Sequence, residues 1–194
     1  MLGERDLSIL RPRDGEALLD DEEFATRDEY LPYWVELWPS GLALARAIHG
    51  RALRGARVLE LGCGLALPSL VAARAGAQVM ATDGSTDAVV FAAHGFALNE
   101  LVGDVVHADW ARHGEQLAAR GPFDLLLASD VFYTQANVEV ARTLVPELLA
   151  PGGKFLLADP DRAGAREFLA GARATFRLAT EQDDDVRLHT LTRR

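Results

Sequence analysis

The sequence predicts an α/β protein: one open, mostly parallel sheet with helices on both faces, in three layers. Three observations carry this expectation. From Arg57 onward, strand-like and helix-like segments alternate, which is the pattern of successive βα units. The stretch "FDLLLASD" at 123–130 is almost wholly apolar, as expected of a parallel strand covered on both sides. The chain has 194 residues, 49% of them hydrophobic, without an internal repeat or a linker, which is enough for one domain with a real core.

The elements follow in order. Residues 1–30 are charged and weakly periodic, an irregular or hairpin-like lead. "YLPYWVELWPSG" is dense in aromatics and proline. Ser40 is placed to N-cap a helix over Gly41–His49, with Leu42, Ala45 and Ile48 on one face and Gly50 ending it. "RVLEL" at 57–61 is the first strand. Pro68 suits the first turn of a helix that reaches about Ala75 and stops at Gly76. "AQVMATD" is a second strand ending on Asp83, and Thr86–Asn99 is helical. "DVVHADW" is a third strand, followed by a short helix over Arg112–Arg120. After the fourth strand come a helix at Asn137–Ala150, a "PGG" turn at 151–153, and the strand "KFLLAD". Ala163–Ala174 is a helix. "TFRLATE" and "VRLHTL" close the sheet as two strands joined across "QDDD".

Composition excludes several function classes. A net charge of −9 disfavours direct DNA binding, which needs clustered Lys and Arg. No apolar stretch is long enough to span a membrane. "MLGERDLSIL" lacks a basic region followed by an apolar core, so no secretory signal is expected. The lone Cys63 allows no internal disulfide or thiolate zinc site, and suits a reducing, cytoplasmic setting. No metal site is expected: the histidines His49, His94 and His189 lack partners at ligand spacing, and His107 and His113 merely flank "ADW".

Ligands of such sheets lie at the carboxyl ends of the strands, which selects residues 60–66, 83–85, 109–110, 130–133 and 159–162. Gly62-Cys63-Gly64 follows a strand and opens a helix, and Asp83 lies 21 residues after Gly62. That is the spacing of a carboxylate that accepts hydrogen bonds from ribose hydroxyls. A dinucleotide site would place glycine at 67, where this chain has Leu67, and no basic residue lies in the loop to meet phosphate. This disfavours a nicotinamide-linked oxidoreductase. A ribose ligand with a zwitterionic tail and no phosphate, such as S-adenosyl-L-methionine, fits better.

"VLELGCGLALPSL" at 58–70 resembles the first motif of the class I (seven-β-strand, Rossmann-like) S-adenosylmethionine-dependent methyltransferases, acid-x-Gly-x-Gly-x-Gly. Glu60, Gly62 and Gly64 match, and Ala66 replaces the last glycine. The resemblance implies a doubly wound, mostly parallel seven-stranded sheet with an antiparallel last strand. It divides the chain into a lead segment at 1–40 covering the site and a methyltransferase domain at 41–194. It implies cofactor contacts at Trp38, Glu60, Gly62, Cys63, Gly64, Asp83 (ribose), Gly84, Asp109 (adenine amino group), Trp110 and Ser129. "PYWVELWPSG" and "SDVFY" further resemble the Asp-x-x-Tyr/Phe protein-lysine methyltransferases, such as the electron transfer flavoprotein β-subunit lysine methyltransferases. Pro32 to Pro39 and Asp159-Pro160-Asp161-Arg162 match that branch, whereas Gly95 stands where it often carries an asparagine before Asn99.

That branch implies methylation of lysine in a protein, such as an electron transfer flavoprotein β subunit or a ribosomal protein. A small amine or pyridine acceptor, as in nicotinamide N-methyltransferase-like proteins, is the alternative. Asp130 and Tyr133 are the expected catalytic residues. Asp130 attracts the ammonium and orients the amine, Tyr133 and Phe132 pack the lysine stem, and Trp34 or Trp38 faces the cation. Asp159 and Arg162 are expected to pair at the acceptor rim.

Overall fold

The computed structural model describes residues 6–13 and 33–194. The expectations for residues 14–32, including Pro32 and most of the lead segment, lie outside the described residues.

A short 3-10 turn at Tyr33–Val35 leads into helix α1, Pro39–Ile48. Then follow β1 Arg57–Leu61, α2 Leu67–Arg74, β2 Gln78–Asp83, α3 Thr86–Leu98, β3 Asp104–His107 and α4 Trp110–Arg120. The second half comprises β4 Phe123–Ser129, α5 Gln135–Leu148, β5 Leu149–Asp159, α6 Ala163–Ala172, β6 Phe176–Asp183 and β7 Val186–Arg193. The seven strands lie in the order β3-β2-β1-β4-β5-β7-β6. β1 to β5 are parallel, and β7 runs antiparallel to both β5 and β6. The expected three-layer, doubly wound sheet is the observed one.

The alternation of side chains along each strand divides the core in two. Leu125 and Leu127 of β4 join Leu44, Ile48, Leu70 and Phe96, under α1, α2 and α3. Leu126 and Ala128 of the same strand join Leu117, Leu144, Leu148 and Phe168, under α4, α5 and α6. β4 is apolar because it feeds both layers. Helices change face between β1 and β4, which opens a crevice at their carboxyl ends.

Four local expectations differ from the structure. α1 starts at Pro39, so Ser40 lies buried in its first turn and caps nothing. Proline at the helix start lacks only an N–H that would have no helical partner, and its fixed φ pre-forms the turn. The buried face of α1 uses Leu44 with Ala45 and Ile48, while Leu42 is exposed. β3 ends at His107, because the Asp109 carboxylate caps α4 by accepting from the Ala111 N–H at 2.9 Å. α5 starts at Gln135, capped by Thr134 Oγ1, and ends at Leu148, so "PGG" lies within β5 where its register with β4 shifts.

Candidate active site

Five strand ends meet at the crevice. The turn after β1 is held from below. Glu60 Oε2 accepts from Ser69 N at 2.9 Å, Thr82 Oγ1 donates to Glu60 O at 2.8 Å, and Cys63 N donates to Thr82 O at 2.9 Å. Gly62, Gly64 and Ala66 have φ of +67°, +49° and +58°, the left-handed region that glycine enters without cost. The missing third glycine is thus filled by an alanine whose methyl is buried in the core. A close neighbour also requires glycine at 62. A Cβ on Gly62 would stand 2.9 Å from Val131 Cγ1, and one on Gly64 would stand 3.4 Å from Trp34 O. The Val131 side chain leaves no room for one at Gly62, and the Trp34 backbone lies against Gly64.

The structure corrects the role expected of Glu60. Its side chain is wholly buried beneath the turn, so it supports the loop and does not face the crevice. Burial pushes its carboxyl up to about 8. The folded chain then holds a proton that the unfolded chain releases near 4.5, so stability falls as pH rises through that window. Glu60→Gln keeps an acceptor for Ser69 N and is expected to make the fall in Tm between pH 5.5 and 8.5 shallower than in the wild type. Parallel Tm profiles would show that Glu60 is ionised throughout.

Asp83, at the end of β2, is half-buried. Its Oδ2 accepts from Gly64 N and its Oδ1 from Ser85 N, both at 2.9 Å. Burial raises its pKa, against those backbone hydrogen bonds. Gly84 is exposed with open space around it, and His107 Nε2 donates to its carbonyl at 2.9 Å. Asp109 keeps an outer oxygen 3.5 Å from Arg112 Nε, with 41% of the side chain exposed. Trp110 is half-buried, 3.8 Å from the position of a Gly62 Cβ.

On the acceptor side, Asp130 follows β4 with φ +59°, and its N–H donates to Ala158 O at 3.0 Å. Its carboxylate is 10% exposed, with Oδ1 2.6 Å from Arg162 Nε. The expected Asp159–Arg162 ion pair is therefore replaced by Asp130–Arg162. Asp159 is wholly buried, and its Oδ1 accepts from the Arg162 backbone N–H at 2.6 Å. Phe132 is also buried, stacked on Phe168 at 4.6 Å, and cannot pack a substrate.

Tyr133 does stand open, 53% exposed, with its ring 5.7 Å from Tyr33. Tyr33 lies 6.3 Å from Trp38, whose Nε1 donates to Tyr33 O at 2.8 Å. These three exposed rings form a rim. Trp34 instead packs on Phe91 of α3 at 5.2 Å, away from it. Ser129 is half-buried beneath α1, its Oγ 3.6 Å from the position of a Gly41 Cβ. Burial pushes the Tyr133 phenol up, and the Asp83 charge adds to the shift.

The electrostatics select the ligand. Residues 60–66 and 83–85 contain no Lys or Arg. Burial, with the charge of Asp83, pushes the Cys63 thiol well above its usual value. A negative turn of this kind repels a pyrophosphate, and attracts ribose hydroxyls and a sulfonium. The residues present fit S-adenosylmethionine. Among the described residues no group of metal-ligating side chains occurs, and no helix is long and apolar enough to cross a membrane.

Comparison with known proteins agrees. A family model described as lysine methyltransferase matches residues 33–172. The electron transfer flavoprotein β-subunit lysine methyltransferase of Xenopus laevis is 36% identical over 68% of this chain and 54% of its own length. The histone-arginine methyltransferase METTL23 of the same organism is 32% identical over 71% of this chain and 61% of its own. The chain thus spans little more than half the length of these relatives. Among solved structures, the T. thermophilus 16S rRNA N2 G1207 methyltransferase (RsmC), in complex with AdoMet and guanosine, superposes with a TM-score of 0.66 at 25% identity. It covers 82% of this chain and 44% of its own. SMU.776, complexed with SAH, has a TM-score of 0.64 at 13% identity over 80% of this chain and 50% of its own, a likeness of fold. Motif, crevice and match together place this chain in the lysine methyltransferase family of S-adenosylmethionine-dependent, Rossmann-like enzymes.

Proposed function

We propose that this protein transfers a methyl group from S-adenosylmethionine to the side-chain amine of a lysine in a protein. One observation carries the reading: the Asp130 carboxylate and the exposed rings of Tyr33, Trp38 and Tyr133 stand beside the turn that Gly62 and Asp83 build. S-adenosylmethionine, when bound, supplies the electrophilic methyl.

The chain's own residues do the rest. Asp83 holds the ribose hydroxyls, Asp109 and Trp110 take the adenine, and Gly64, Cys63 and Gly84 line the near backbone. Ser129 closes the floor below α1. Lysine arrives protonated, with a reference pKa near ~10.4. Asp130 attracts the ammonium; once the proton has passed to solvent at the exposed rim, the carboxylate accepts an N–H and turns the lone pair inward. Arg162 already offsets that carboxylate, so Asp130 orients the amine better than it would deprotonate it. Tyr133 flanks the stem, while Trp38 and Tyr33 offer ring faces to the cation, a contact of roughly 0.5–2 kcal/mol. Tyr33 and Trp38, at the end of the lead segment, cover the site, and a cytoplasmic protein acceptor suits the lone, buried thiol of Cys63.

Incubating the protein with methyl-labelled S-adenosylmethionine and a cell lysate tests this. Label is expected in a protein band and, after hydrolysis, in methyl-lysine. Label confined to small molecules would overturn the reading.

A further inference from the structure

The face that carries α4, α5 and α6 ends at the β6–β7 hairpin. Between α6 and that hairpin runs a groove of about 290 Å³. Its walls hold three arginines, Arg166, Arg173 and Arg187, against one acid, Asp161. In a chain with a net charge of −9 this is a local inversion of sign. Asp161 bridges two of the arginines, with its oxygens 3.3 Å from Arg166 Nη1 and 2.7 Å from Arg187 Nη1. Arg173 has no acidic partner among the described residues.

Beneath them lies His189, 5% exposed. Its Nδ1 shares a 2.8 Å hydrogen bond with Thr180 Oγ1, while its Nε2 is buried without a partner. Burial and the Arg187 charge lower its pKa, so the imidazole stays neutral. Leu169, Ala170 and Leu178 give the groove an apolar floor.

Position ties the groove to the acceptor rim. Asp161 adjoins Arg162, which holds Asp130. Arg187 pairs in register with Asp159, the last residue of β5. Three arginines against one acid within a groove of this size suit one or two carboxylates rather than a long polyanion.

We propose that this groove docks an acidic segment of the protein acceptor, a carboxylate meeting Arg173 and Arg187 while an apolar neighbour rests on Leu169 and Leu178. The inference rests on the protein-lysine reading above. It names a second contact that selects the acceptor and leaves the cofactor untouched. Guanidinium–carboxylate pairs are directional and charge-assisted, so a groove that presents Arg173 and Arg187 together discriminates Glu from Gln.

The test uses the full chain and Arg173→Glu, with Arg173→Lys as the conservative variant. The probe is a fluorescent decapeptide of alternating Glu and Leu, compared with its Gln-Leu analogue and a ten-nucleotide single-stranded DNA. The wild type is expected to bind the acidic peptide at least tenfold more tightly than either competitor. Arg173→Glu loses at least tenfold and Arg173→Lys recovers part. Both variants keep the wild-type Tm and the wild-type affinity for S-adenosylmethionine. At limiting lysate, Arg173→Glu incorporates at least fivefold less label into protein.

Equal peptide binding by the wild type and Arg173→Glu, or preference for the oligonucleotide, overturns the proposal. So does equal lysate labelling when the wild type labels protein. If the wild type labels no protein, the lysine reading fails and peptide binding alone judges the groove: Glu-dependent binding lost in Arg173→Glu supports it, and no binding overturns it.

Discussion

Asp83→Ala is expected to raise the dissociation constant for S-adenosylmethionine about 100-fold, which corresponds to about 2.8 kcal/mol, measured by calorimetric titration. The carboxylate does two things at once. It ties the turn together through Gly64 N and Ser85 N, and in the proposed role its remaining lone pairs accept from a ribose diol. Hydrogen bonds to a charged group contribute about 1.5–3 kcal/mol each, so losing the ligand bonds alone accounts for the effect. Two stranded N–H groups add to it. Asp83→Asn keeps the volume but removes the charge, and puts an N–H₂ against one of the two backbone donors, so a rise of at least tenfold is expected there too. Affinity unchanged in both variants would mean that Asp83 serves only the turn.

Asp130→Asn is expected to lower turnover about 100-fold while the cofactor dissociation constant stays within about threefold, read from single-turnover methyl transfer and calorimetry. Orientation of a nucleophile accounts for several kcal/mol in well-aligned systems, and two orders of magnitude is about 2.7 kcal/mol. Asparagine is the informative choice, because φ at this position is +59°. Asn tolerates left-handed backbone, whereas alanine would add strain to the loss of charge. The substitution also frees Arg162 at the rim, which repels an incoming ammonium and adds to the acceptor KM. If Asp130→Asn instead weakens the cofactor as much as Asp83→Ala does, Asp130 belongs to the cofactor and its assigned role is wrong.

The sheet was legible because each strand carries its own signature. β4 is apolar but for Asp124 and its last residue, β2 ends on Asp83, and glycines at 62 and 64 sit where the chain must turn tightly. Local capping was less legible. Asp109 was expected at a strand end and caps a helix. Pro39 rather than Ser40 starts α1. The glycines of "PGG" are absorbed into β5, because a register shift accommodates extra residues that the sequence shows only as turn formers.

Contacts between distant segments were not legible at all. Nothing in "DPDR" says that the Arg162 side chain crosses to Asp130, since both acids lie in reach of a flexible stem and only the packed geometry chooses between them. Phe132 and Tyr133 are adjacent and point oppositely, one stacked on Phe168 and one in the open. His189 looked ordinary by its spacing. Its significance arises from Arg187 two residues before it and from Arg166 and Arg173, in and just after α6, that the hairpin brings alongside.

The turn at Gly62 and Asp83, free of Lys and Arg, selects a sulfonium nucleoside over a phosphate-bearing one. Side-by-side calorimetric titration of the wild-type chain with S-adenosylmethionine and NAD decides between the two ligands. Saturable one-to-one binding of S-adenosylmethionine with no heat from NAD is the predicted result. NAD binding as tightly as S-adenosylmethionine, or in its place, would contradict it.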